Sequence, residues 1–296
     1  MSLTGTYTAL ITPFKQNLDV DYDALKKIIE FQVDAGVEGL VPCGTTGESP
    51  TLNHEEHRKV IAKTIEWAKA KNSNIKIIAG TGSNSTREAI ALTKAAKEDG
   101  ADYALQVNPY YNKPTQLGLV THFRNIAEAG DLPIILYNIP GRTSVSLNIE
   151  SIVELAGHKN IIGIKEATGD IGFMTQVIHN TPKDFVLLSG DDNLLLPILS
   201  IGGQGVISVI ANLFPRETGD ITRKFLAGNT DYAREKFFNM ANLCSAMFLE
   251  TNPIPVKFAA NYLGLCENEL RLPMTKLSQR FEEKLETIID IFKDNK

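Results

Sequence analysis

A pattern that repeats about every thirty residues constrains the fold of this chain more than any other feature. An amphipathic segment ends at a glycine and a short apolar, β-branched run follows, as in the segments 35–43, 99–107 and 129–137. A glycine just past a helix accepts the left-handed conformation because it has no Cβ. Short apolar runs are typical of strands that are buried on both faces of a parallel sheet.

Eight such runs predict eight strands, and helical patterns fill the gaps between them. Strict alternation of strand and helix over this length favours a single closed α/β barrel, the (β/α)₈ or TIM barrel. We expect residues 1–211 to form its core, and residues 212–296 to form the final barrel helix and a small C-terminal helical extension. The predicted strands centre on Thr8, Leu40, Ile77, Leu105, Ile135, Ile162, Leu187 and Val206.

Two helices carry clear local signals. Tyr22–Ala35 has apolar residues at helical spacing, which predicts a helix over this range. Asn53 followed by Glu56 is typical of an N-cap with a glutamate at the third helical position. Gly202–Gly205 precedes the eighth strand, so we interpret this glycine-rich segment as a structural turn at the end of the barrel away from the active site.

Charge and cysteine usage exclude several classes of partner. Lys and Arg number 30 against 35 for Asp and Glu, a net charge of -5, so we expect neither nucleic acid nor a membrane as partner. Cys43, Cys244 and Cys266 lie far apart, which argues against a disulfide framework. His54 and His57 lack a third ligand nearby, so we expect no metal. Without a secretory signal or a long apolar run, the expected location is cytoplasmic.

Lys165 stands out among the polar residues near the predicted strand ends, where barrel enzymes carry their chemistry. It lies within the apolar run of the sixth strand, and strand alternation puts it on the same face as Ile161 and Gly163. Gly163 is expected to leave space beside it. Desolvation favours the uncharged amine that a Schiff base requires. The alternative is a structural lysine paired with Glu166 or an aspartate.

Other polar residues follow neighbouring strands. Tyr137 ends the fifth strand, where a phenol can transfer a proton, and Thr45 can link it to a second phenol, Tyr111. The alternatives are a packing tyrosine and a turn threonine that caps the next helix. Arg142 lies just beyond the fifth strand and suits bidentate binding of a carboxylate, although a surface salt bridge is the usual role of an arginine.

Three motifs resemble one known family. The segments 44–48 (GTTGE), 137–143 (YNIPGRT) and 163–168 (GIKEAT) are similar to those of the 4-hydroxy-tetrahydrodipicolinate synthase (dihydrodipicolinate synthase) family, and the resemblance covers nearly the whole chain. The first and third motifs are shared with the wider superfamily of pyruvate-dependent class I aldolases that includes N-acetylneuraminate lyase. Arg142 in its Pro-Gly-Arg-Thr context and the segment 109–114 are more particular to the synthase.

The resemblance implies a mechanism without a cofactor, because the imine itself is the electron sink. Lys165 would form an imine with pyruvate, and the derived enamine would attack aspartate 4-semialdehyde. Tyr137 would shuttle protons through Thr45 to Tyr111, which comes from a neighbouring subunit in this family, so a homo-oligomer is implied, a dimer commonly within a tetramer. The implied substrate-binding residues are Thr46 for the pyruvate carboxylate, Arg142 for the semialdehyde, and Gly190 and Ile207 at the pocket wall.

The resemblance also implies feedback inhibition by lysine, as part of lysine and diaminopimelate biosynthesis. Glu88 would face the cation of the effector, and Pro50 stands where the family often has alanine. If the chain has no lysine site, the polar residues at the matching positions would simply lie at a contact between subunits. The positions that match the family's lysine site are Ser49, His54, His57, Asn84, Glu88 and Tyr110.

Two rival functions stay open at this point, and a third is disfavoured. A lyase for N-acetylneuraminate or for 2-keto-3-deoxy sugar acids would use the same imine, but it would not need a carboxylate-binding Arg142. A non-catalytic barrel that binds a small acid would form no covalent adduct, since fold alone does not prove function. A metal-dependent class II aldolase is disfavoured because no cluster of histidines follows the strands.

Overall fold

A computed structural model describes residues 3–295 as a closed barrel of eight parallel strands. The strands pair in sequence order, and the first strand pairs with the last to close the barrel. Every predicted strand centre lies inside an observed strand, which confirms the predicted fold class. The strands are β1 Gly5–Ala9, β2 Gly39–Val41, β3 Lys76–Gly80, β4 Tyr103–Val107, β5 Ile134–Asn138, β6 Ile161–Glu166, β7 Val186–Ser189 and β8 Gly205–Ser208.

Helices connect the strands and continue beyond the last one. Within the barrel they are α1 Tyr22–Ala35, α2 His54–Lys71, α3 Thr86–Glu98, α4 Gln116–Gly130, α5 Pro140–Thr143, α6 Ile149–Ala156, α7 Ile171–Asn180, α8 Leu195–Ser200 and α9 Pro215–Leu226. The C-terminal extension adds α10 Thr230–Ala246, α11 Ile254–Tyr262 and α12 Gln279–Asn295. In residues 3–295, no helix is long and apolar enough to cross a membrane.

The apolar side chains form two separate cores. Inside the barrel, residues such as Ile78, Ile135 and Leu188 pack against one another. A larger cluster lies between the strands and the surrounding helices and continues into the extension. Two cores arise because successive side chains of a strand point to opposite faces, and both faces are covered here.

Helix ends follow the local signals, with one exception. Asn53 and Glu56 form the predicted capping box of α2, and Gly36 ends α1 in the left-handed conformation at φ 80°. Gly130 was also expected to be a left-handed cap, but Asp131 takes that conformation instead, at φ 49°. A Cβ at Gly130 would lie 2.6 Å from Cγ2 of Thr93. This glycine therefore allows α4 to approach α3 closely.

The glycine-rich segment before β8 lies where the sequence places it, at the amino end of the strand. Gln204 accepts a backbone hydrogen bond from Gly5 at 2.9 Å. Gly205 has φ 154°, and a Cβ there would lie 1.9 Å from the carbonyl oxygen of Gly5. The close approach of β1 and β8 therefore requires a residue without a side chain at this position.

Candidate active site

A cavity of about 240 Å³ opens at the carboxyl ends of the strands. The loops after β2, β3, β4 and β5 surround it. Thr45, Ser49, Tyr110, Tyr137 and Arg142 are among the residues that line it. The barrel thus brings together side chains that are up to about 100 positions apart in the sequence.

Lys165 lies near the carboxyl end of β6, where it is opposite Tyr137 on one side and Leu188 on the other. Only 6% of the residue is exposed, and Nζ lies 4.1 Å from the centre of the Tyr137 ring. Glu166 points elsewhere, because its carboxylate accepts hydrogen bonds from Asn138 Nδ2 at 2.9 Å and Thr168 N at 2.6 Å. Pairing of Lys165 with Glu166, the alternative from the sequence, is therefore not observed.

The space beside Lys165 comes from a different glycine than expected. A Cβ at Gly190 would lie 3.2 Å from Lys165 Cε and 2.7 Å from the Cβ of Ala167. At Gly163, by contrast, a Cβ would meet the Val186 carbonyl oxygen at 2.5 Å. The expectation that Gly163 opens space for the lysine was wrong. Gly163 instead allows β6 and β7 to pair closely.

The strand alternation that placed Ile161 beside Lys165 also breaks. Ile161 packs in the outer core, whereas Ile162 packs against the core inside the barrel. The pairing of β5 with β6 shifts its register between Ile134 and Ile135, opposite this point. The irregularity changes which residues face inward, so simple alternation holds only from Gly163 onward.

A buried polar chain lies behind the cavity and joins the ends of three strands. Asn108 Nδ2 donates to Asn138 Oδ1 at 2.9 Å, and Asn138 Nδ2 donates to Glu166. Burial raises the pKa of the Glu166 carboxyl above its usual value, and the hydrogen bonds oppose this effect. These residues alternate with Tyr137 and Lys165 along the strands. This chain of hydrogen bonds therefore holds the ends of β4, β5 and β6 in register next to Tyr137 and Lys165.

Tyr137 and Thr45 line the same cavity, but they make no hydrogen bond to each other. Among the described residues, the Tyr137 hydroxyl has no hydrogen-bond partner, so the packing role with a backbone bond is not observed. Tyr111 is 91% exposed and lies outside the cavity, with φ 73°. Within a single chain, then, the predicted relay of Tyr137, Thr45 and Tyr111 is not connected.

The loop 44–48 is a tight turn that carries Thr45 and Thr46. Gly47 N donates to Gly44 O and Glu48 N donates to Thr45 O, both at 3.1 Å. Thr46 is buried, and its hydroxyl oxygen accepts a hydrogen bond from Asn252 Nδ2 at 3.0 Å. Thr46 therefore lies at the contact between this loop and the C-terminal extension.

Glu48, at the end of this loop, forms an ion pair in the protein interior. Its carboxylate lies 2.6 Å from Lys257 Nζ, and both side chains are 1% exposed or less. Arg271 N donates to the second carboxylate oxygen at 3.2 Å, and Lys257 Nζ lies 4.0 Å from the Phe14 ring centre. Sequence reasoning missed Lys257, although a lysine inside the apolar run Ile254–Ala260 carries the same signal as Lys165.

Arg142 lies in α5, at the rim of the cavity. One terminal nitrogen donates to the backbone oxygen of Asn252 at 3.0 Å. No acidic side chain among residues 3–295 pairs with it, so the salt bridge considered as an alternative is not observed. The remaining N–H groups of the guanidinium are available to a ligand in the cavity.

Gly190 and Ile207 occupy different surroundings. Gly190 follows β7 and borders Lys165 directly. Ile207 lies in β8, opposite Tyr7, and packs in the core inside the barrel. Neither lines the cavity itself.

A second polar cluster adjoins the cavity. His54 Nε2 lies 3.2 Å from Glu88 Oε1, and Asn84 Nδ2 donates to the Tyr110 carbonyl oxygen at 3.2 Å. His57 is buried, which lowers its pKa to about 4. Ser49 and Tyr110 line the cavity, so they connect it to this cluster. All six residues expected for a lysine site therefore lie around one region. In the described part of the chain, no three His, Cys, Asp or Glu side chains are grouped as metal ligands.

Comparison with known proteins identifies the family. The model of the dihydrodipicolinate synthetase family matches residues 2–292. A 4-hydroxy-tetrahydrodipicolinate synthase of Leptospira biflexa is 54% identical over 275 residues, which cover 93% of this chain and 92% of that protein.

Two solved structures show the same fold. A dihydrodipicolinate synthase of Acinetobacter baumannii, in complex with pyruvate, is 43% identical and superposes with a TM-score of 0.96 over 99% of both chains. One from Cyanidioschyzon merolae, with lysine bound, is 38% identical and has a TM-score of 0.94 over 99% of both chains. The likeness extends over the whole barrel and the extension, and the chain belongs to the dihydrodipicolinate synthetase family.

Proposed function

We propose that Lys165 forms the imine with pyruvate in a 4-hydroxy-tetrahydrodipicolinate synthase reaction. The chain is a lyase of this family, and it condenses pyruvate with aspartate 4-semialdehyde in lysine and diaminopimelate biosynthesis. The observation that carries the role of Lys165 is its place near the end of β6. There it is buried, has no acidic partner among the described residues, and lies over the ring of a cavity-lining tyrosine.

The steps follow from amine and carbonyl chemistry. The uncharged Lys165 amine attacks the keto carbon of pyruvate, and loss of water gives the imine. Loss of a proton from the methyl group gives an enamine, whose terminal carbon attacks the aldehyde of aspartate 4-semialdehyde. The amino group of the adduct then attacks the imine carbon and displaces Lys165, which closes the ring and frees the enzyme.

Tyr137 is the proton shuttle in this proposal. Its hydroxyl is free of other hydrogen bonds among the described residues, and its ring is in contact with the reactive amine. Thr45, which lines the same cavity, relays the proton to Tyr111 of a neighbouring subunit. The 91% exposure of Tyr111 supports this, because a large aromatic side chain in water is typical of a surface that another subunit covers. The active unit is therefore a homodimer, commonly within a tetramer.

Two groups hold the substrate carboxylates. Thr46 binds that of pyruvate, and Arg142 binds that of the semialdehyde through the N–H groups that its bond to Asn252 leaves free. Gly190 borders Lys165 and Ile207 packs inside the barrel, so in this proposal their backbone forms the wall of the space around Lys165 and not of the cavity described above. A cytoplasmic location accompanies this biosynthetic role.

Lysine binds the second cluster and inhibits the enzyme. Glu88 faces the ammonium group of the effector, and its contact with His54 supports this because it places the carboxylate beside another residue of the cluster. Pro50 lines the neighbouring cavity and shapes this region. The lysine-bound structure of the Cyanidioschyzon merolae relative supports an effector of this kind.

A lysine titration of the purified enzyme tests this regulation. We expect activity to fall at millimolar lysine, and Glu88→Gln to raise the half-inhibiting concentration about tenfold, since it removes a charge-assisted hydrogen bond. Full activity at millimolar lysine would contradict the proposal.

The catalytic role is tested by a coupled assay in which pyruvate and aspartate 4-semialdehyde are supplied and an NADPH-dependent reductase reports product. We expect Lys165→Ala to reduce turnover on the order of 10³-fold or more, because the covalent step is lost. Lys159→Ala is the matched control, since Lys159 is exposed and lies before the same strand. Full turnover of the Lys165 variant would disprove its role.

Borohydride trapping separates the remaining outcomes. A wild-type protein that traps pyruvate but does not condense it would keep the Schiff base and move the acceptor to a sugar-derived aldehyde. A protein that forms no adduct would be a barrel that only binds a small acid.

A further inference from the structure

One residue of the C-terminal extension contacts both groups that would hold the substrate carboxylates. Asn252 lies between α10 and α11 and is 4% exposed. Its side-chain nitrogen donates to the hydroxyl oxygen of Thr46 at 3.0 Å, and its backbone oxygen accepts from Arg142 at 3.0 Å. The contact with Thr46 joins residues that are 206 positions apart.

The direction of the first hydrogen bond has a chemical consequence. A threonine hydroxyl has one proton to donate and two lone pairs that accept. When Asn252 donates to the oxygen, it occupies a lone pair and leaves the proton of Thr46 free to point elsewhere. A carboxylate only accepts hydrogen bonds, so a hydroxyl held as a donor is the form that binds it.

The surroundings make this arrangement rigid. Thr46 lies in the tight turn 44–48, and the buried pair of Glu48 and Lys257 ties that turn to α11. Asn252 directly precedes the segment that leads into α11. The donor and the acceptor are therefore both attached to the same fixed contact between the loop and the extension.

Packing alone does not explain why residue 252 has an amide side chain. Its Oδ1 is buried and has no hydrogen-bond partner among the described residues. An unpaired buried carbonyl oxygen lowers stability, which an apolar residue would avoid. An asparagine here is thus better explained by the hydrogen bond that its nitrogen makes.

We propose that Asn252 is a positioning residue, which orients the hydroxyl of Thr46 as a hydrogen-bond donor to the carboxylate of the keto acid. The inference rests on the proposed role of Thr46 in binding pyruvate. Asn252 acts through Thr46 and does not touch the reacting atoms. Its hold on Arg142 runs through the backbone oxygen, so a change of the Asn252 side chain leaves that contact in place.

The test compares two variants, one that reverses the hydrogen bond between residue 252 and Thr46 and one that removes it. Asn252→Asp has almost the same shape, but its carboxylate accepts the Thr46 proton and turns the hydroxyl away from the substrate. Asn252→Ala removes the contact and leaves the hydroxyl free to rotate. We expect KM for pyruvate to rise about tenfold in Asn252→Ala and further in Asn252→Asp, with KM for the semialdehyde changed less than twofold.

A double-mutant cycle tests whether the effect runs through Thr46. In a Thr46→Val background, Asn252→Ala should change KM for pyruvate less than twofold. Asn261→Asp is the matched control, because Asn261 lies in the same extension, is exposed, and its side chain bonds only to the backbone of Cys266 among the described residues. Thermal unfolding of each variant verifies that it folds.

A failure of the Asn252 proposal can be distinguished from a failure of the proposed function. Wild-type turnover tests the reaction, whereas pyruvate dependence of borohydride trapping measures the Asn252 effect even without condensation. A larger rise in Asn252→Ala than in Asn252→Asp would indicate a packing role and overturn the inference. Equal effects of Asn252→Ala with and without the Thr46 hydroxyl would overturn it as well.

Discussion

Among residues 3–295 two lysines are buried, Lys165 in the barrel and Lys257 in the extension, and their surroundings make them different chemical groups. Lys257 pairs with Glu48, donates to the Glu269 carbonyl and lies over a phenylalanine ring, so its charge is balanced on every side. Burial lowers the pKa of Lys257, and Glu48 opposes that effect. Among the described residues, Lys165 Nζ has only the ring of Tyr137 as a partner. The lysine without a carboxylate is the one that remains available to a substrate.

Two buried histidines set a pH dependence of stability. Burial lowers the pKa of His57 and of His122 to about 4. In the unfolded chain a histidine titrates near 6.5, so the unfolded state binds more protons between pH 6.5 and about 4. Stability therefore rises with pH across this window and is lost as pH falls through it.

We predict that His122→Asn weakens this dependence. An asparagine can keep the bond that Nδ1 makes to Thr86 Oγ1, and it does not titrate. Between pH 6.5 and 4.5 the wild type should lose about 2 kcal/mol more unfolding free energy than the variant. Urea unfolding at both pH values measures it. The same loss in both proteins would show that His122 does not contribute.

The loop 44–48 and the extension depend on one another at the scale of elements. Glu48 has φ 52°, in the left-handed region, and its carboxylate is buried against Lys257 and the backbone of Arg271. A buried carboxylate is stable only while its partner is present. The extension thus holds the loop that borders the candidate active site, although its described residues form no strand.

Lys257→Met should therefore destabilise the protein by about 3–5 kcal/mol, because it leaves the Glu48 carboxylate buried without its cation. The double variant Glu48→Gln/Lys257→Met should recover part of the loss. Lys63→Met, which breaks the exposed pair of Lys63 and Glu66, is the control and should cost less than about 1 kcal/mol. Denaturant unfolding compares the three. Equal losses for Lys257→Met and Lys63→Met would refute the prediction.

Local sequence signals correctly predicted the end of a helix where the residues that form it are neighbours in the sequence. Asn53 and Glu56 satisfy the first backbone N–H groups of α2 whatever surrounds the helix. Gly130 failed as a cap because its role depends on Thr93 of the neighbouring helix, which local pattern does not encode. The irregular start of β6 has the same origin, since the register shift lies in the pairing with β5.

At the scale of the whole molecule, the cavity of one chain lacks a member of the proposed relay. Tyr111 and Leu117, which follow β4, are 91% and 77% exposed. Two large exposed side chains in one stretch of the chain fit a surface covered by a second subunit. The complete site would then form only in the dimer.

Mixed dimers test this. When Lys165→Ala and Tyr111→Phe proteins are mixed by refolding, a heterodimer contains one site with Lys165 from one subunit and Tyr111 from the other. We expect activity of roughly a quarter of wild type, since half of the dimers are mixed and one site of two is intact. If Tyr111 acted within its own chain, the mixture would stay as inactive as either parent.

The sequence by itself predicts the barrel, its eight strands and a lysine within the apolar run of the sixth strand, and the barrel and strands are confirmed. Three signals depend only on neighbouring residues, so they can be read along the chain. They are the spacing of apolar runs, the glycines that follow helices, and the free-energy cost of burying a lysine within an apolar run. Residues of the site that lie in the motifs after strands were also predictable, because the carboxyl ends of parallel strands meet at one end of a barrel.

Only the tertiary structure decided which groups surround these residues. Gly190 rather than Gly163 makes room for Lys165, Asn252 holds Thr46, and Tyr111 points away from its own cavity. Each depends on the register between strands or on a contact between distant segments. Such contacts are selected by packing and hydrogen bonding of the whole chain, and no local pattern specifies them.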